Sequence, residues 1–538
     1  MTKKNSTSQI DPTTSKGIGA RPLVGPEWFA DESLLIWSFR AALIIQLVLF
    51  TAIAYCRLTD TDEGFYLLAT KLVAHGRRPY LDFFFQQMPA LPYIYALWSK
   101  VIGLSWTSGR ILSALFSTAL GGLLYRHIEQ LYSRKIFACL AVILYAFNNL
   151  VIAWQPVVKT YALSNLFLFC AYLLGFPKDS QHDRRRAFLS GLFLAFAVDT
   201  RLYLIVVAPV LMLSLYCFRR NIKAAFKNLA LFIGGLWLGL APAFWFLWRA
   251  PGSFVFDNFG YHLIRHDLGL RSAIRQKAEI IFAITNLQAS YDGSGAQFAI
   301  LGLLAVAAVL FRNTDRRLFI PFAFGFVLFV VCLLPSPTFP QYFCVCIPFV
   351  IIVAIGSINI LSNSHRVVDV SLHFIKKVGL LVAGFYMLSG VLAFYNYTYM
   401  GNGVEGIWNH ANTFDYKLST VKQVARELDR LAKGQRVISF WPGYLVECHC
   451  IAESRTENDF GLWVSPKVTP AEAAQYKIIR SVEVDELLEK HDPKAVVIRS
   501  ADIWGGWGIS FRDALRKNGY QLVRKIGRAE IYSLPDKN

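Results

Sequence analysis

A chain of 538 residues that is 55% hydrophobic, 15% aromatic and only 17% charged carries more apolar side chain than a soluble core of that length can hide, which excludes an ordinary soluble enzyme. The formal charge of +19 would suit a nucleic-acid binder. The lysines and arginines instead fall in short clusters between apolar runs, the pattern that orients helices in a lipid bilayer, so the composition implies an integral membrane protein without a nucleic-acid partner.

Residues 1–33 are polar and rich in Ser, Thr and Pro, with no apolar stretch ahead of a small-residue cleavage site, and are expected to form a cytoplasmic tail before an uncleaved first anchor. Crossing a bilayer takes about 20 helical residues. Apolar runs that could do so are Leu34 to Cys56, Leu104 to Tyr125, Ile136 to Trp154, Tyr161 to Phe176, Ala187 to Val198, Leu202 to Phe218, Leu229 to Trp248, Ala296 to Phe311, Leu318 to Leu334, Phe343 to Leu361 and Val378 to Tyr395, about eleven transmembrane helices within residues 34–396. With that count the clusters Arg126/Arg134/Lys135, Lys178/Arg184/Arg185/Arg186, Arg219/Arg220/Lys223/Lys227, Arg312/Arg316/Arg317 and Arg366/Lys376/Lys377 share one side, which the positive-inside rule makes cytoplasmic. The amino terminus joins them, and the segments after the first and seventh runs face outward.

The first outer loop, residues 57–103, is patterned. Phe65, Leu68 and Leu72 recur at helical spacing up to Gly76, and a second stretch runs from Pro92 to Ile102; both are expected to lie as helices along the membrane surface. Beyond the last run, residues 397–538 change character. Helical pattern at Ser419 to Ala432, Val484 to Lys490 and Phe511 to Lys517 alternates with strand-like Arg436 to Phe440 and Ala495 to Ile498, and Gln521 to Ile526 with Ala529 to Leu534 reads as a closing hairpin. The fold expected is a polytopic α-helical membrane protein with interfacial helices and a small extracytoplasmic α/β domain.

Asp62-Glu63, followed by Gly64-Phe65-Tyr66, stands just beyond the first run. A carboxylate pair is costly beside lipid and reads as functional, here as a general base. Together with Arg77-Arg78-Pro79-Tyr80, Asp82, Pro89, Tyr93, Gly103 and Arg110, the pair resembles the front end of membrane glycosyltransferases of the C superfamily, above all the bacterial relatives of protein O-mannosyltransferases and the lipid A aminoarabinose transferase. That string covers Arg57 to Tyr125; the rest of the chain is similar in architecture alone.

The resemblance implies an inverting hexosyl- or pentosyltransferase that moves a sugar from a polyprenyl phosphate to an extracytoplasmic acceptor (a glycan, lipid or protein) at the bacterial inner, or plasma, membrane. It also implies that Asp62 takes the proton of the acceptor hydroxyl. Chemistry supports the same role, since an outward carboxylate can accept a proton as a hydroxyl attacks an anomeric carbon, and the leaving phosphate needs only cations to stabilise its charge. Glu63 either orients the acceptor or starts a helix. Asp60 competes for the role of base, and Asp82 either lines the cavity or closes a turn.

A lipid phosphate at the interface calls for cations at outward helix ends, and Arg201, Lys159 and Arg265 qualify, although snorkelling would place such residues there too. Tyr342, in Pro340-Gln341-Tyr342, either closes the cavity or belongs to an aromatic belt. The sequence identifies no definite cofactor. A divalent metal is a further option, with His262 and His266 four residues apart as its weak candidates, whereas Cys448-His449-Cys450 offers a zinc half-site without an evident partner. Two other functions compete: a transporter or flippase of lipid-linked sugars, which should show repeated halves, and a non-catalytic membrane assembly protein.

Overall fold

The computed structural model describes residues 32–176, 184–217, 222–265, 269–285, 295–310, 316–362, 372–402, 404, 407, 410–499 and 508–535. The chain is mostly helical, and every apolar run named above coincides with a helix or with two short helical pieces in series. Among the described residues, four helices are long and apolar enough to cross a bilayer: Trp37–Cys56, Trp106–Tyr132, Ile222–Gly239 and Pro340–Ile360. Most of the other runs are shorter or interrupted, while Leu372–Tyr395 is one continuous helix of 24 residues. The run from Ile136 breaks at Asn148, whose side-chain oxygen accepts hydrogen bonds from the Leu150 and Val151 N–H groups and starts a new helix, Asn149–Trp154. Leu202–Val207 and Pro340–Cys346 wind as 3₁₀ turns before continuing as Ala208–Cys217 and Ile347–Ser362. Irregular backbone at membrane depth is tolerated where it is buried in protein, and these segments flank Lys159, Arg201 and Tyr342.

Close crossings among the body helices rely on small residues. An added Cβ at Gly191 would stand 1.9 Å from the Phe232 carbonyl oxygen, and one at Gly235 would stand 2.0 Å from that of Phe188, so helices Arg184–Thr200 and Ile222–Gly239 touch backbone to backbone.

After α1 (Glu32–Cys56), the first long connection contains α2 (Thr61–Ala74) and α3 (Ala90–Ile102), and α4 (Trp106–Tyr132) follows. The two helices expected in this connection form, but their contacts differ. α3 leaves Leu97, Val101 and Ile102 exposed, whereas α2 is buried from Glu63 to Thr70 because the carboxy-terminal part of the chain covers it. Between them Tyr80 takes a left-handed φ of 65°, a conformation costly for an aromatic residue. The turn is held by its buried ring against Phe246 and Phe254 and by its hydroxyl, which donates to the Gln87 carbonyl at 2.5 Å.

The carboxy-terminal part carries a five-stranded sheet of β1 (Arg436–Ser439), β2 (Ile451–Ala452), β3 (Ala495–Arg499), β4 (Gln521–Ile526) and β5 (Ala529–Ser533), in the order β2-β1-β3-β5-β4. β1 is parallel to β2 and β3, while β5 returns antiparallel to β3 and pairs with β4 as the expected hairpin. Strand alternation sorts its two faces. Val437, Ala495 and Val497 pack with Val421, Val424 and Leu428 of helix Leu418–Ala432 and with Leu67, Leu68 and Leu72 of α2 in one core. Ile438, Val496 and Ile498 instead meet Val484, Leu488, Phe511 and Leu515. The sheet is thereby joined to α2 through a shared hydrophobic layer.

Candidate active site

The site begins with how α2 starts. Asp60 is its N-cap: its carboxylate accepts from the Asp62 N–H at 3.0 Å, while the Glu63 carboxylate accepts from the Asp60 N–H at 3.0 Å. This capping box turns Asp60 and Glu63 inward. Both are buried, whereas the Asp62 side chain remains 19% exposed.

Glu63 is fully committed. Its carboxylate takes Arg110 Nε at 2.9 Å, Arg110 Nη2 at 2.5 Å and the Val158 N–H at 3.0 Å in addition to the cap. Arg110 also donates to the Ala54 and Arg57 carbonyls, which are among the orphan carbonyls at the end of α1. The pair is 0% exposed on both sides, so it fastens α1, α2 and α4 together and leaves Glu63 no free oxygen toward a substrate.

Lys159 lies between the other two carboxylates. Its ammonium is 2.7 Å from Asp60 Oδ1, 2.9 Å from Asp62 Oδ2 and 2.9 Å from Gln341 Oε1, over the Trp154 ring at 4.7 Å. Two anions override the burial that would neutralise it, and its pKa is raised. Burial alone would raise the Asp60 carboxyl, but Lys159 and Arg57 hold it below its ordinary range. Asp62 goes the other way: burial, reinforced by Asp60 and only partly opposed by Lys159, raises it. Of the two aspartates, Asp62 is therefore the accessible and more basic one.

Arg201 and Arg265 stand close by. Arg201 is buried, donates Nη1 to Thr160 Oγ1 at 2.6 Å and faces the rings of Tyr161, Tyr203 and Tyr342 at 4.4, 4.9 and 5.3 Å. Arg265 donates Nη2 to the Tyr342 hydroxyl at 3.4 Å and lies within electrostatic reach of Asp62. The Nε of each guanidinium is buried without a hydrogen-bond acceptor, and among the described residues neither arginine forms an ion pair. Arg57 adds another buried cation, over Trp154 and Tyr397 at 5.1 and 5.2 Å. Arg57, Arg110, Lys159, Arg201 and Arg265 thus face Asp60, Asp62 and Glu63, an excess of two positive charges in a mostly buried cluster.

Of the residues expected at the site, Asp62, Glu63, Lys159, Arg201, Arg265 and Tyr342 come together. Asp82 does not. Its carboxylate accepts from Arg78 N at 2.7 Å and Arg78 Nε at 3.2 Å, closing the turn around Tyr80. His262 is half-buried, and desolvation followed by the nearby Arg265 charge pushes its imidazole down to about 4. It belongs to no metal-ligand cluster among the described residues, and His266 lies outside the described residues. Sequence reasoning missed Gln341, Thr160 and Arg57, which are ordinary polar residues at helix ends until the fold converges on them. The Asp60-x-x-Glu63 spacing, by contrast, was a readable capping-box signal.

Residues 86–248 match the family model described as dolichyl-phosphate-mannose-protein mannosyltransferase, a stretch that begins after the acidic pair. No curated protein matches the chain. Among solved structures, ArnT from Cupriavidus metallidurans bound to undecaprenyl phosphate is 11% identical with a TM-score of 0.59, over 92% of this chain and 98% of that one. Its apo state is 14% identical with a TM-score of 0.62, over 93% and 98%. The arabinofuranosyltransferase AftD from Mycobacteria is 16% identical with a TM-score of 0.50, over 96% of this chain and 42% of its own. In fold, from the membrane helices to the small sheet, the chain resembles the membrane glycosyltransferases of the C superfamily.

Proposed function

We propose that the protein is an inverting glycosyltransferase that moves a sugar from a polyprenyl phosphate to an acceptor hydroxyl outside the cytoplasm, with Asp62 as general base. One observation carries the reading: the accessible Asp62 carboxylate adjoins the guanidiniums of Arg201 and Arg265, which form no ion pair among the described residues. As the acceptor oxygen bonds to the anomeric carbon, its proton passes to Asp62, and the electron pair of the breaking carbon–oxygen bond goes to the phosphate. A phosphodiester donor carries one negative charge and the departing phosphate up to two, so buried excess cations bind the product side of the step more strongly and lower its barrier.

Arg201 and Arg265, with Tyr342 between them, take the phosphate in this reading. Lys159 holds the aspartates apart and in place; its own charge is spent on them, so it is a positioning residue rather than a donor ligand. Glu63 locks the base helix through Arg110. The ArnT structure with undecaprenyl phosphate bound supports a lipid phosphate as the donor's carrier. The topology proposed with it has about eleven crossings, a cytoplasmic amino terminus and the sheet-bearing residues 397–538 outside the membrane.

The test is transfer from labelled polyprenyl-phosphate sugars in vesicles that contain the full-length protein. Labelled product with the wild-type chain, and about 10²–10⁴-fold less with Asp62→Asn in a protein that still binds polyprenyl phosphate, is the expected result. Movement of the lipid donor across the bilayer without a glycosylated product would favour the flippase reading instead.

A further inference from the structure

Away from the base, the chain brings a second set of reactive side chains together. Cys448 and Cys450 flank His449 just ahead of β2, and both are buried, at 3% and 4% exposure. The sequence offered this C-x-C pair no partner. The fold supplies one: Asp429, in the last turns of helix Leu418–Ala432, whose Oδ1 lies 3.8 Å from Cys450 Sγ. One ligand atom from each of Asp429, Cys448 and Cys450 lies within 4.8 Å of the others. Around a tetrahedral zinc ion with bonds of about 2.0–2.3 Å, neighbouring ligand atoms stand roughly 3.3–3.8 Å apart, so small side-chain rotations close the gap.

We infer that Asp429, Cys448 and Cys450 form a binding site for a thiophilic divalent cation, zinc(II) first, with His449 or water in the fourth position. His449 Nδ1 is already 2.8 Å from Asp429 Oδ2. Binding releases two thiol protons; two thiolates and one carboxylate around a dication leave a single negative charge. Lys71 is placed to balance it, since its ammonium donates to the Leu445 carbonyl at 2.7 Å and the Cys448 carbonyl at 2.5 Å. A thiolate pair selects zinc over hard cations such as magnesium or calcium.

The site braces the base helix. The segment that ends in these cysteines begins at Trp441, whose Nε1 donates to the Thr61 carbonyl at 2.9 Å, and its Glu447 accepts from the Trp106 N–H at 2.8 Å. A cation therefore pins this strap, laid over α2 and the start of α4, to the end of helix Leu418–Ala432.

The test uses the untagged full-length protein, reduced, stripped with chelator and supplied with Zn²⁺ alone. Retained zinc is measured by elemental mass spectrometry, and alkylation of Cys448 and Cys450 by peptide mass spectrometry. One zinc per chain is expected, with alkylation of both cysteines slowed about tenfold or more and restored by chelator. A Cys448→Ser/Cys450→Ser double variant should retain none, and Asp429→Asn should bind about 10–100-fold more weakly. The alkylation measurement needs no substitution, so a variant that fails to fold does not spoil the test. Zinc that persists in a folded double variant, unprotected cysteines in the loaded wild type, or a Cys448–Cys450 disulfide in place of metal would each overturn the inference.

Discussion

Arg201→Met separates binding from stability. In the absence of phosphate, Arg201 is a buried cation, 8% exposed, with one hydrogen bond to Thr160 and three tyrosine faces but no ion pair among the described residues. Stranding such a charge costs several kcal/mol. That cost is offset by desolvated cation–π contacts of about 2 kcal/mol each and a charge-assisted hydrogen bond of about 1.5–3 kcal/mol. The two sides nearly cancel, so the apolar, similarly long methionine should shift stability by no more than about 1–2 kcal/mol. Phosphate breaks the balance in favour of arginine, because the guanidinium can present two donors to its oxygens. Losing them removes about 3 kcal/mol of binding, a weakening of roughly 150-fold. Calorimetric titration of a short-chain polyprenyl monophosphate into nanodisc-embedded protein, with thermal unfolding of the same preparation, reads both quantities. Unchanged affinity in a folded variant would refute the phosphate role, and a collapse of unfolding temperature that accounts for the lost binding would show Arg201 to be structural.

Asp62→Asn should cut transfer by about 10²–10⁴-fold while leaving polyprenyl phosphate binding within a few-fold of wild type; the vesicle transfer assay and the titration check the two halves separately. Because the Asp62 carboxyl is raised, its basic form fills as pH increases, so kcat/KM should climb with pH and then level off. Lys159→Met removes the strongest influence holding that value down, and the acid limb should move to higher pH; a limb that stays put or moves lower would contradict the assignment. Gly64→Ala places a Cβ 2.7 Å from Gly443 N and 2.9 Å from Gly443 Cα, a clash with backbone that cannot swing aside, and should cost about 1–3 kcal/mol in unfolding measurements. Trp441→Phe keeps most of the buried ring but drops the hydrogen bond to Thr61, and should lower turnover more than its loss of about 1 kcal/mol in stability explains.

The carboxy-terminal sheet was legible because its strands alternate. Val437 and Ile438 point to opposite faces, and each face finds a helix whose apolar stripe has the matching period. β2 was not legible: two residues have no period, and its existence depends on pairing with β1. The membrane body was legible as apolar runs but not as continuous helices, since a 3₁₀ turn such as Pro340–Cys346 has the composition of the helix it precedes. At the site, Arg201 and Arg265 could be named from the need for cations at helix ends. That Lys159 is spent on two aspartates depends on where the break after Trp154 delivers it, a consequence of tertiary packing. Asp429 lies 19 residues before Cys448, too far for local spacing to reveal it.

Asp62, the proposed base, is held in position from both parts of the fold. From the membrane body, Arg110 fixes Glu63 and Lys159 fixes Asp60, so the first turn of α2 has little freedom once those pairs form. From the carboxy-terminal part, the Tyr416 carbonyl accepts from Thr59 N at 2.7 Å and from its Oγ1 at 3.0 Å, Trp441 reaches Thr61, and Glu457 meets Arg77 at 2.6 Å. A buried ion pair contributes little net stability after desolvation, yet several of them converge within one turn of helix. Their effect is geometric: they hold a raised, partly exposed carboxylate, paired on one side with Lys159, at a fixed place beside Arg265. On that reasoning residues 397–538 complete the site rather than decorate it, because without the Tyr416 and Trp441 contacts the N-terminus of α2 would lose its fastening on the side away from the membrane helices.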